Sequence, residues 1–190
     1  MTLTDILKLR RSVYNIGKTL PVDAEEIVRL VKETTALVPD AFDMKSQRVV
    51  LALGEKHDKL WDAIYDAFGG KVAREKIDSF KAGYGTVLYF YDANVVKELQ
   101  GRYAMYAENF PVWAQHANGM LQLAVWTGLA ELGVGASIQH YNPVIDEAVR
   151  GLFNLPENYV LVAQMPFGGI VEPPAPKPGE DVSLRVRVER

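Results

Sequence analysis

Residues 112–132 read VWAQHANGMLQLAVWTGLAEL, and this stretch decides how the rest of the chain can fold. Pro111 suits the first turn of a helix, and Gly133 suits its exit. Apolar residues occupy most of the circumference, which predicts a central helix buried on nearly all sides. Its scattered amide, histidine and glutamate side chains fit a buried helix better than a membrane span. One small domain can hardly bury such a helix alone, so we expect a partner subunit to cover it; an ordinary core helix is the alternative.

The C-terminal segment gives a second indication of a partner. Five of the ten prolines fall between Pro166 and Pro178, a composition that favours a stiff, extended arm. Residues 182–188 then alternate apolar with polar side chains, which predicts a strand. A strand without a hairpin neighbour must pair far from its arm, so we predict a homodimer with an exchanged C-terminal strand. The domain would span 1–168 and the arm 169–190; a disordered tail is the alternative.

The remaining elements mix helices and strands without strict alternation, which favours an α+β fold over a doubly wound sheet. Helical spacing and capping signals predict short and long helices, and β-branched runs between turn residues predict buried strands. The predicted helices are 4–10, 23–38, 56–68 and 72–80, and the predicted strands are 48–53, 86–91 and 159–165.

Composition and charge exclude several functional classes. A length of 190 residues suits one domain, and a net charge of -3 gives no basic surface for nucleic acid. The absence of cysteine excludes disulfides, zinc–thiolate sites, iron–sulfur clusters and thiol nucleophiles. The three histidines fit no metal spacing. No secretory signal or membrane span is visible, so a cytoplasmic protein is expected.

Arg10-Arg11-Ser12, at the end of the first predicted helix, is the one cluster that suggests a ligand. Two guanidinium groups beside a hydroxyl suit a phosphate monoester, because guanidinium forks form bidentate, charge-assisted hydrogen bonds. Arginines near a helix C-terminus also favour the helix dipole, and this structural role is the alternative. No nucleophile elbow, phosphate-binding loop or dinucleotide fingerprint accompanies the cluster.

The order of motifs along the chain resembles the FMN-dependent nitroreductase family, and most closely its small nitroreductase-like branch, also called fatty-acid-repression-mutant proteins. The resemblance covers residues 10 to 168. It rests on these blocks: Arg10-Arg11-Ser12-Val13-Tyr14, Arg48-Val49-Val50, Lys59-Leu60-Trp61-Asp62, Gly83-Tyr84-Gly85-Thr86-Val87-Leu88, Phe110-Pro111-Val112-Trp113, Asn118-Gly119-Met120, Ala124-Val125-Trp126-Thr127, Gly135-Ala136-Ser137-Ile138-Gln139-His140-Tyr141-Asn142-Pro143 and Ala163-Gln164-Met165-Pro166-Phe167-Gly168.

The resemblance implies an α/β/α sandwich dimer that binds FMN. Arg10, Arg11 and Ser12 match the family's phosphate-binding triplet. The backbone of Gln139-His140-Tyr141 matches the stretch that faces the flavin N5 edge. Lys177 is the nearest match to a lysine that often completes the phosphate site, and Gly169 stands where this branch often has a lysine.

The loop after Pro39 departs from the family pattern. It contains Phe42, and it has Asp43 and Lys45 where the family usually has an asparagine and a glutamine that hydrogen-bond the flavin ring edge. An amide both donates and accepts hydrogen bonds, whereas an ionised aspartate only accepts and a lysine only donates. The two charged residues can also pair with each other. We therefore expect FMN to bind with an altered potential.

The implied activity is reduction of nitroaromatic or quinone-like acceptors by NAD(P)H, through ping-pong hydride transfer on FMN and without a catalytic protein nucleophile. The aromatic residues available to line the slot for these molecules are Phe42, Tyr103, Tyr106, Phe110 and Trp113. Core packing is the other role open to them. The alternative function is a flavin-binding regulatory or storage protein with little turnover, which the substitutions at Asp43 and Lys45 motivate.

Overall fold

The computed structural model describes residues 2–190 and confirms the α+β class. The helices are α1 (Leu3–Leu9), α2 (Ala24–Leu37), α3 (Glu55–Ala67), α4 (Arg74–Lys81), α5 (Ala93–Arg102), α6 (Asn109–Glu131) and α7 (Asp146–Phe153). The strands are β1 (Ile16–Gly17), β2 (Gln47–Leu53), β3 (Gly85–Asp92), β4 (Val134–Ala136) and β5 (Tyr159–Ile170). Two single turns of 3₁₀-helix cover Ala41–Asp43 and Ala104–Tyr106.

The strands form one antiparallel sheet in the order β1-β5-β3-β2, with β4 also paired to β5. The long strand β5 lies at the centre of these pairings, because residues 159–167 pair with β3 and its last residues pair with β1 and β4. Strand β2 pairs only with β3, so its other edge is open within the described residues 2–190. The segment before β1 meets β4 through a bridge between Ser12 and Ala136, and the segment after β4 continues beside β5, where Gln139 pairs with Gln164.

Helices cover both faces of the sheet and bury two separate cores. On one face, α2 and α6 pack against β3, β4 and β5; this core includes Ile27, Leu121, Val125, Tyr89 and Phe167. On the other face, α3, α4 and α7 pack against the same sheet through residues that include Leu60, Trp61, Ile77, Phe80 and Val149. The sequence prediction of an α/β/α sandwich is confirmed.

Helices α5 and α7 and the two short strands were not predicted from the sequence. Asp92-Ala93-Asn94 suggested a turn that ends a strand, but the Asp92 carboxylate accepts a hydrogen bond from the Asn94 N–H and caps α5. Strands β1 and β4 are too short to show a period-two pattern, and they form because β5 offers them an edge. Strand β5 also runs to Ile170, two residues beyond the predicted domain boundary.

The strand predicted at 182–188 is absent from the single chain. Turn hydrogen bonds join Val182 O to the N–H groups of Arg185 and Val186, and the apolar side chains of this segment are exposed. The physical reason is that a strand needs a neighbour, and the proline-rich arm keeps the segment away from its own sheet. Exchange of this segment with a second protomer remains a prediction.

Helix α6 is the predicted central helix, and it begins three residues earlier than expected. Pro111 lies in its first turn, and Gly133 leaves it with a positive φ of 74°. One face is buried against the sheet, but Val112, Met120 and Leu123 on the other face remain 50%, 45% and 46% exposed. Within residues 2–190, no helix combines the length and apolarity that a bilayer span requires.

Candidate functional site

The Arg10-Arg11-Ser12 triplet lies where α1 ends and the chain enters the sheet. Arg10 is the C-cap of α1, and its backbone N–H donates to the Ile6 carbonyl. Ser12 forms a parallel bridge with Ala136 of β4, and the Val13 N–H donates to the Ala136 carbonyl at 2.9 Å. The sheet therefore fixes the backbone of the triplet, which we call the arginine anchor.

The Arg10 side chain lies over α6. Its guanidinium carbon is 4.2 Å from the ring centroid of Trp126, which is a cation–π contact. Its Nε is buried and has no hydrogen-bond partner among residues 2–190. Burial, together with the charge of Arg11, lowers the pKa of the Arg10 guanidinium from its usual value. The guanidinium group therefore lacks an acceptor that would offset the free-energy cost of removing it from water.

Arg11 connects the arginine anchor to the C-terminal arm. Its Nη2 donates to the Ala175 carbonyl at 2.9 Å, which brings the segment that carries the exposed Lys177 near the anchor. Gly169 does not leave room for the lysine that the family branch often has there. A Cβ at Gly169 would lie 1.8 Å from the Thr19 carbonyl oxygen, so the backbone of this chain packs directly on that glycine.

The loop at 40–46 has an unusual backbone. Phe42, Asp43 and Lys45 have φ values of 56°, 51° and 51°, and only one other non-glycine residue among residues 2–190 has a positive φ. The Asp40 carboxylate holds the loop closed by accepting from the Ser46 N–H at 2.9 Å and from its hydroxyl at 2.7 Å. Left-handed backbone at non-glycine residues costs about 1–3 kcal/mol each and tends to occur at functional sites.

Asp43 and Lys45 pair with each other, as their spacing allowed. The Lys45 Nζ lies 3.0 Å from the Asp43 Oδ2, and both side chains are 78% exposed. An exposed pair of this kind contributes little to stability. Both charges therefore face outward from the loop, next to a groove of about 390 Å³ that also borders Asp40 and Arg48.

The five aromatic residues that the sequence offered for a substrate slot form one cluster around Phe42. Its ring centroid lies 4.8 Å from that of Tyr103, 5.3 Å from that of Phe110, 5.6 Å from that of Trp113 and 5.9 Å from that of Tyr106. Phe110 is fully buried, whereas Phe42 is 48% exposed. The cluster thus combines both roles: Phe110 packs the core and supports an exposed aromatic surface formed by the others.

The segment Gln139-His140-Tyr141 runs beside β5. The Gln139 N–H and carbonyl pair with Gln164 at 2.7 and 2.9 Å, and the Tyr141 N–H donates to the Gln164 Oε1 at 2.8 Å. Among residues 2–190, the His140 N–H has no acceptor, and it is the one backbone donor of this segment left for a ligand. The Tyr141 ring points inward against Phe68, and burial raises the pKa of its hydroxyl.

The arginine anchor and the 40–46 loop contact opposite ends of α6. Arg10 lies over Trp126, and Phe42 stacks on Trp113. Thirteen residues of helix separate these two tryptophans, which corresponds to about 20 Å along the axis. Sequence reasoning did not single out Trp126, Asp40 or Gln164 for these supporting roles. Trp126 and Gln164 contact residues distant in sequence, and the contact of Asp40 with Ser46, six residues away, follows no sequence motif. Residues 2–190 contain no group of side chains suited to a metal ion.

The fold is that of nitroreductase-type oxidoreductases. Nitroreductase CinD from Lactococcus lactis, solved in complex with chloramphenicol, superposes with a TM-score of 0.94 and 40% identity, and the match covers 100% of both chains. A nitroreductase structure from Saccharomyces cerevisiae has a TM-score of 0.79 and 31% identity over 88% of this chain and 95% of that chain.

The chain belongs to the nitroreductase family, whose model matches residues 7–169. HBN1 from Saccharomyces cerevisiae is 31% identical over 191 residues, which covers 99% of this chain and 96% of HBN1. The nitroreductase FRM2 from the same yeast is 32% identical over 162 residues, which covers 84% of this chain and 83% of FRM2. The family resemblance inferred from the sequence motifs is confirmed.

Proposed function

We propose that this protein is an FMN-dependent oxidoreductase that uses NAD(P)H to reduce nitroaromatic or quinone-like acceptors in a ping-pong cycle. Bound FMN would supply hydride transfer at its N5 edge, and the protein would bind and orient the reactants. The proposal assigns no catalytic nucleophile to the chain. The cytoplasmic location expected from the sequence stays a prediction.

The observation that carries this proposal is the unbalanced charge of the arginine anchor. Arg10 and Arg11 are adjacent cations, and neither forms an ion pair with any carboxylate of residues 2–190. The buried Arg10 Nε has no acceptor, and Ser12 stands beside it on the same fixed backbone. A phosphate monoester would neutralise both charges and accept hydrogen bonds from the arginine and serine side chains. The anchor therefore fits the phosphate of FMN.

The other groups fit a flat, aromatic cofactor and flat reactants. The exposed ring of Phe42 and its aromatic neighbours offer surfaces for stacking. The His140 N–H is a fixed donor that a flavin heteroatom can accept from. CinD has been solved with 4-nitrophenol and with nicotinic acid, which carries the pyridine ring of a nicotinamide. These complexes support flat aromatic reactants for the present chain.

We further propose a homodimer in which the C-terminal segment of one protomer crosses to the other. The open edge of β2 and the neighbouring helix α2 border a groove of about 400 Å³, lined in part by Val28, Val31, Val49 and Leu51. The alternating apolar residues of 182–188 are exposed and have no strand partner among residues 2–190. A strand added at the β2 edge would bury them and pair the open backbone groups.

The test compares Arg10→Gln with the unmodified protein in titrations of FMN fluorescence and in assays of NAD(P)H oxidation with a nitroaromatic acceptor. Loss of one charged hydrogen-bonding group should raise the dissociation constant for FMN by at least about tenfold. Affinity for riboflavin, which lacks the phosphate, should be unchanged by the substitution. Arg29→Gln, at an exposed arginine on α2, is the matched control and should behave like the unmodified chain.

Three results would contradict the proposal. If the unmodified protein binds no FMN, or if Arg10→Gln binds FMN and riboflavin with unchanged affinities, the arginine anchor does not hold a flavin phosphate. Tight FMN binding without NAD(P)H oxidation above the free-flavin rate would instead favour the regulatory or storage function.

A further inference from the structure

Gln164 is a fully buried polar side chain in the middle of β5. It lies opposite Leu88 of β3, which belongs to the core formed with α3, α4 and α7. Its neighbours along the strand, Ala163 and Met165, are also fully buried. A methionine of similar length would fill the same space without the free-energy cost of removing an amide from water. That cost is offset only by the hydrogen bonds that the Gln164 amide makes.

The amide of Gln164 extends the pairing between β5 and the segment 139–141. The backbone of Gln164 pairs with that of Gln139, with N···O distances of 2.7 and 2.9 Å. Beyond Gln139, no backbone hydrogen bond joins this segment to β5 within residues 2–190. The Gln164 Oε1 instead accepts from the Tyr141 N–H at 2.8 Å, and its Nε2 lies 3.5 Å from the Asn142 Oδ1. One side chain thus takes the place of a further strand residue.

These hydrogen bonds set the direction of both backbone groups of His140. Its two peptide bonds are trans, and the N–H and C=O of a trans peptide point in opposite directions. The Gln139 carbonyl accepts from the Gln164 N–H, so the His140 N–H of the same peptide points away from Gln164. The Tyr141 N–H donates to the Gln164 side chain, so the His140 carbonyl points away as well. In the described part of the chain, neither group has a hydrogen-bond partner.

We propose that Gln164 is a positioning residue for the flavin: its amide fixes the His140 N–H in the direction of the ring and so sets the relative affinity of the site for oxidised and reduced FMN. This inference rests on the proposed function, in which the His140 N–H donates to a flavin heteroatom. A fixed donor stabilises a ring nitrogen only while that nitrogen can accept a hydrogen bond. N5 has a free lone pair in oxidised flavin and carries a hydrogen in reduced flavin. Loosening the donor therefore weakens the binding of oxidised FMN more than that of reduced FMN.

The first experiment measures hydrogen exchange at the Tyr141 amide by NMR, in the full chain without flavin. Gln164→Met keeps the length of the side chain but removes its oxygen, so exchange at Tyr141 should become at least about tenfold faster. Gln164→Glu keeps an oxygen that accepts in either protonation state, so it should retain slow exchange. Thr86→Val, which removes a fully buried hydroxyl from β3, is the control. It should lower the stability of the fold without accelerating exchange at Tyr141.

The second experiment adds FMN. In the unmodified chain, saturating FMN should slow exchange at the His140 amide at least about tenfold and leave the Tyr141 amide unchanged. In FMN-loaded Gln164→Met, the affinity for oxidised relative to reduced FMN should fall about tenfold, which raises the two-electron midpoint potential by about 30 mV. Thr86→Val should keep the potential of the unmodified protein.

The outcomes separate the role of Gln164 from the proposed function. Failure of the unmodified chain to bind FMN would refute the proposed function and the flavin role of Gln164 together. Unchanged exchange at Tyr141 in flavin-free Gln164→Met would refute the positioning role alone. The inference is also overturned if Gln164→Met accelerates exchange at Tyr141 while the potential of the bound flavin keeps its unmodified value.

Discussion

We expect the buried residue His57 to make the stability of this fold depend on pH. It lies in the first turn of α3 and is fully buried. Its Nε2 is 3.2 Å from the Lys81 carbonyl, which can only accept, so the neutral ring carries its proton on Nε2. The Nδ1 then accepts from the Thr86 hydroxyl at 2.9 Å, while the Trp61 Nε1–H donates to the same hydroxyl oxygen at 2.9 Å.

Protonation of His57 would add a buried charge and a second N–H that faces a hydroxyl oxygen already in use. Burial lowers the pKa of His57 from 6.5 to about 4, and the nearby Lys18 also lowers it. Above pH 6.5 both the folded and the unfolded states are neutral at this residue. Between pH 6.5 and 4 the unfolded state binds a proton that the folded state does not, so the free energy of unfolding falls as the pH falls. The full loss is about 3 kcal/mol.

The perturbation is His57→Gln, with His57→Phe as a second variant that also cannot titrate but lacks hydrogen bonds. The assay is urea unfolding from pH 7.5 to 4 at one protein concentration, followed by tryptophan fluorescence. The unmodified protein should lose about 3 kcal/mol more than either variant over this range, whatever the stability of the variants at neutral pH. Parallel pH profiles for all three proteins would refute the reasoning, because the buried ring would then contribute no proton linkage.

Two further predictions concern the loop and the C-terminal arm. In FMN-loaded protein, Asp43→Asn should raise the flavin midpoint potential by roughly 30 mV, a tenfold change in relative affinity for reduced flavin, because Lys45 loses its counter-charge. Lys45→Gln should lower it, and the double variant should return to the starting value; unchanged potentials in redox titration would contradict a loop beside the flavin. Deletion of 171–190 should raise the dimer dissociation constant at least tenfold, as measured by analytical ultracentrifugation. The same deletion should weaken FMN binding, because it removes the Ala175 carbonyl that holds Arg11. Full retention of the dimer would exclude exchange of the segment.

The central helix and the longer strands could be predicted from sequence because their patterns are local. The apolar pattern of residues 112–132 identified a helix that carries one core, and the β-branched run 48–53 identified a strand. That strand was predicted to be buried, but it lies at the edge of the sheet and most of its residues are only partly buried. Strands β1 and β4 could not be predicted in this way. Gly17 and Gly135 lie in them, and each strand exists only because it pairs with β5, a contact between residues far apart in sequence.

The residues of the candidate site could likewise be predicted only in part from the sequence. Arg10, Arg11 and Ser12 are adjacent in sequence, so their cluster was visible before the fold. The support for Arg10 comes from Trp126, and the closure of the loop comes from the Asp40 contact with Ser46. Neither contact has a short sequence signature. The position of the anchor and the loop at opposite ends of α6 likewise follows only from the fold.

Asp43 and Lys45 stand where the family usually has an asparagine and a glutamine, and the two differences are best considered together. A single lysine or aspartate in place of an amide would leave a net charge at the loop, and burial of that charge against a cofactor would be costly. Together the two residues form an ion pair at 3.0 Å, so the pair adds no net charge to the loop, although neither side chain offers the hydrogen bonds of an amide. The positive φ values of Phe42, Asp43 and Lys45 show that the loop backbone is held in a costly shape despite this exchange of side chains. Because left-handed backbone at non-glycine residues tends to occur at functional sites, we propose that this loop takes part in ligand binding and that the ion pair alters its properties rather than removing them.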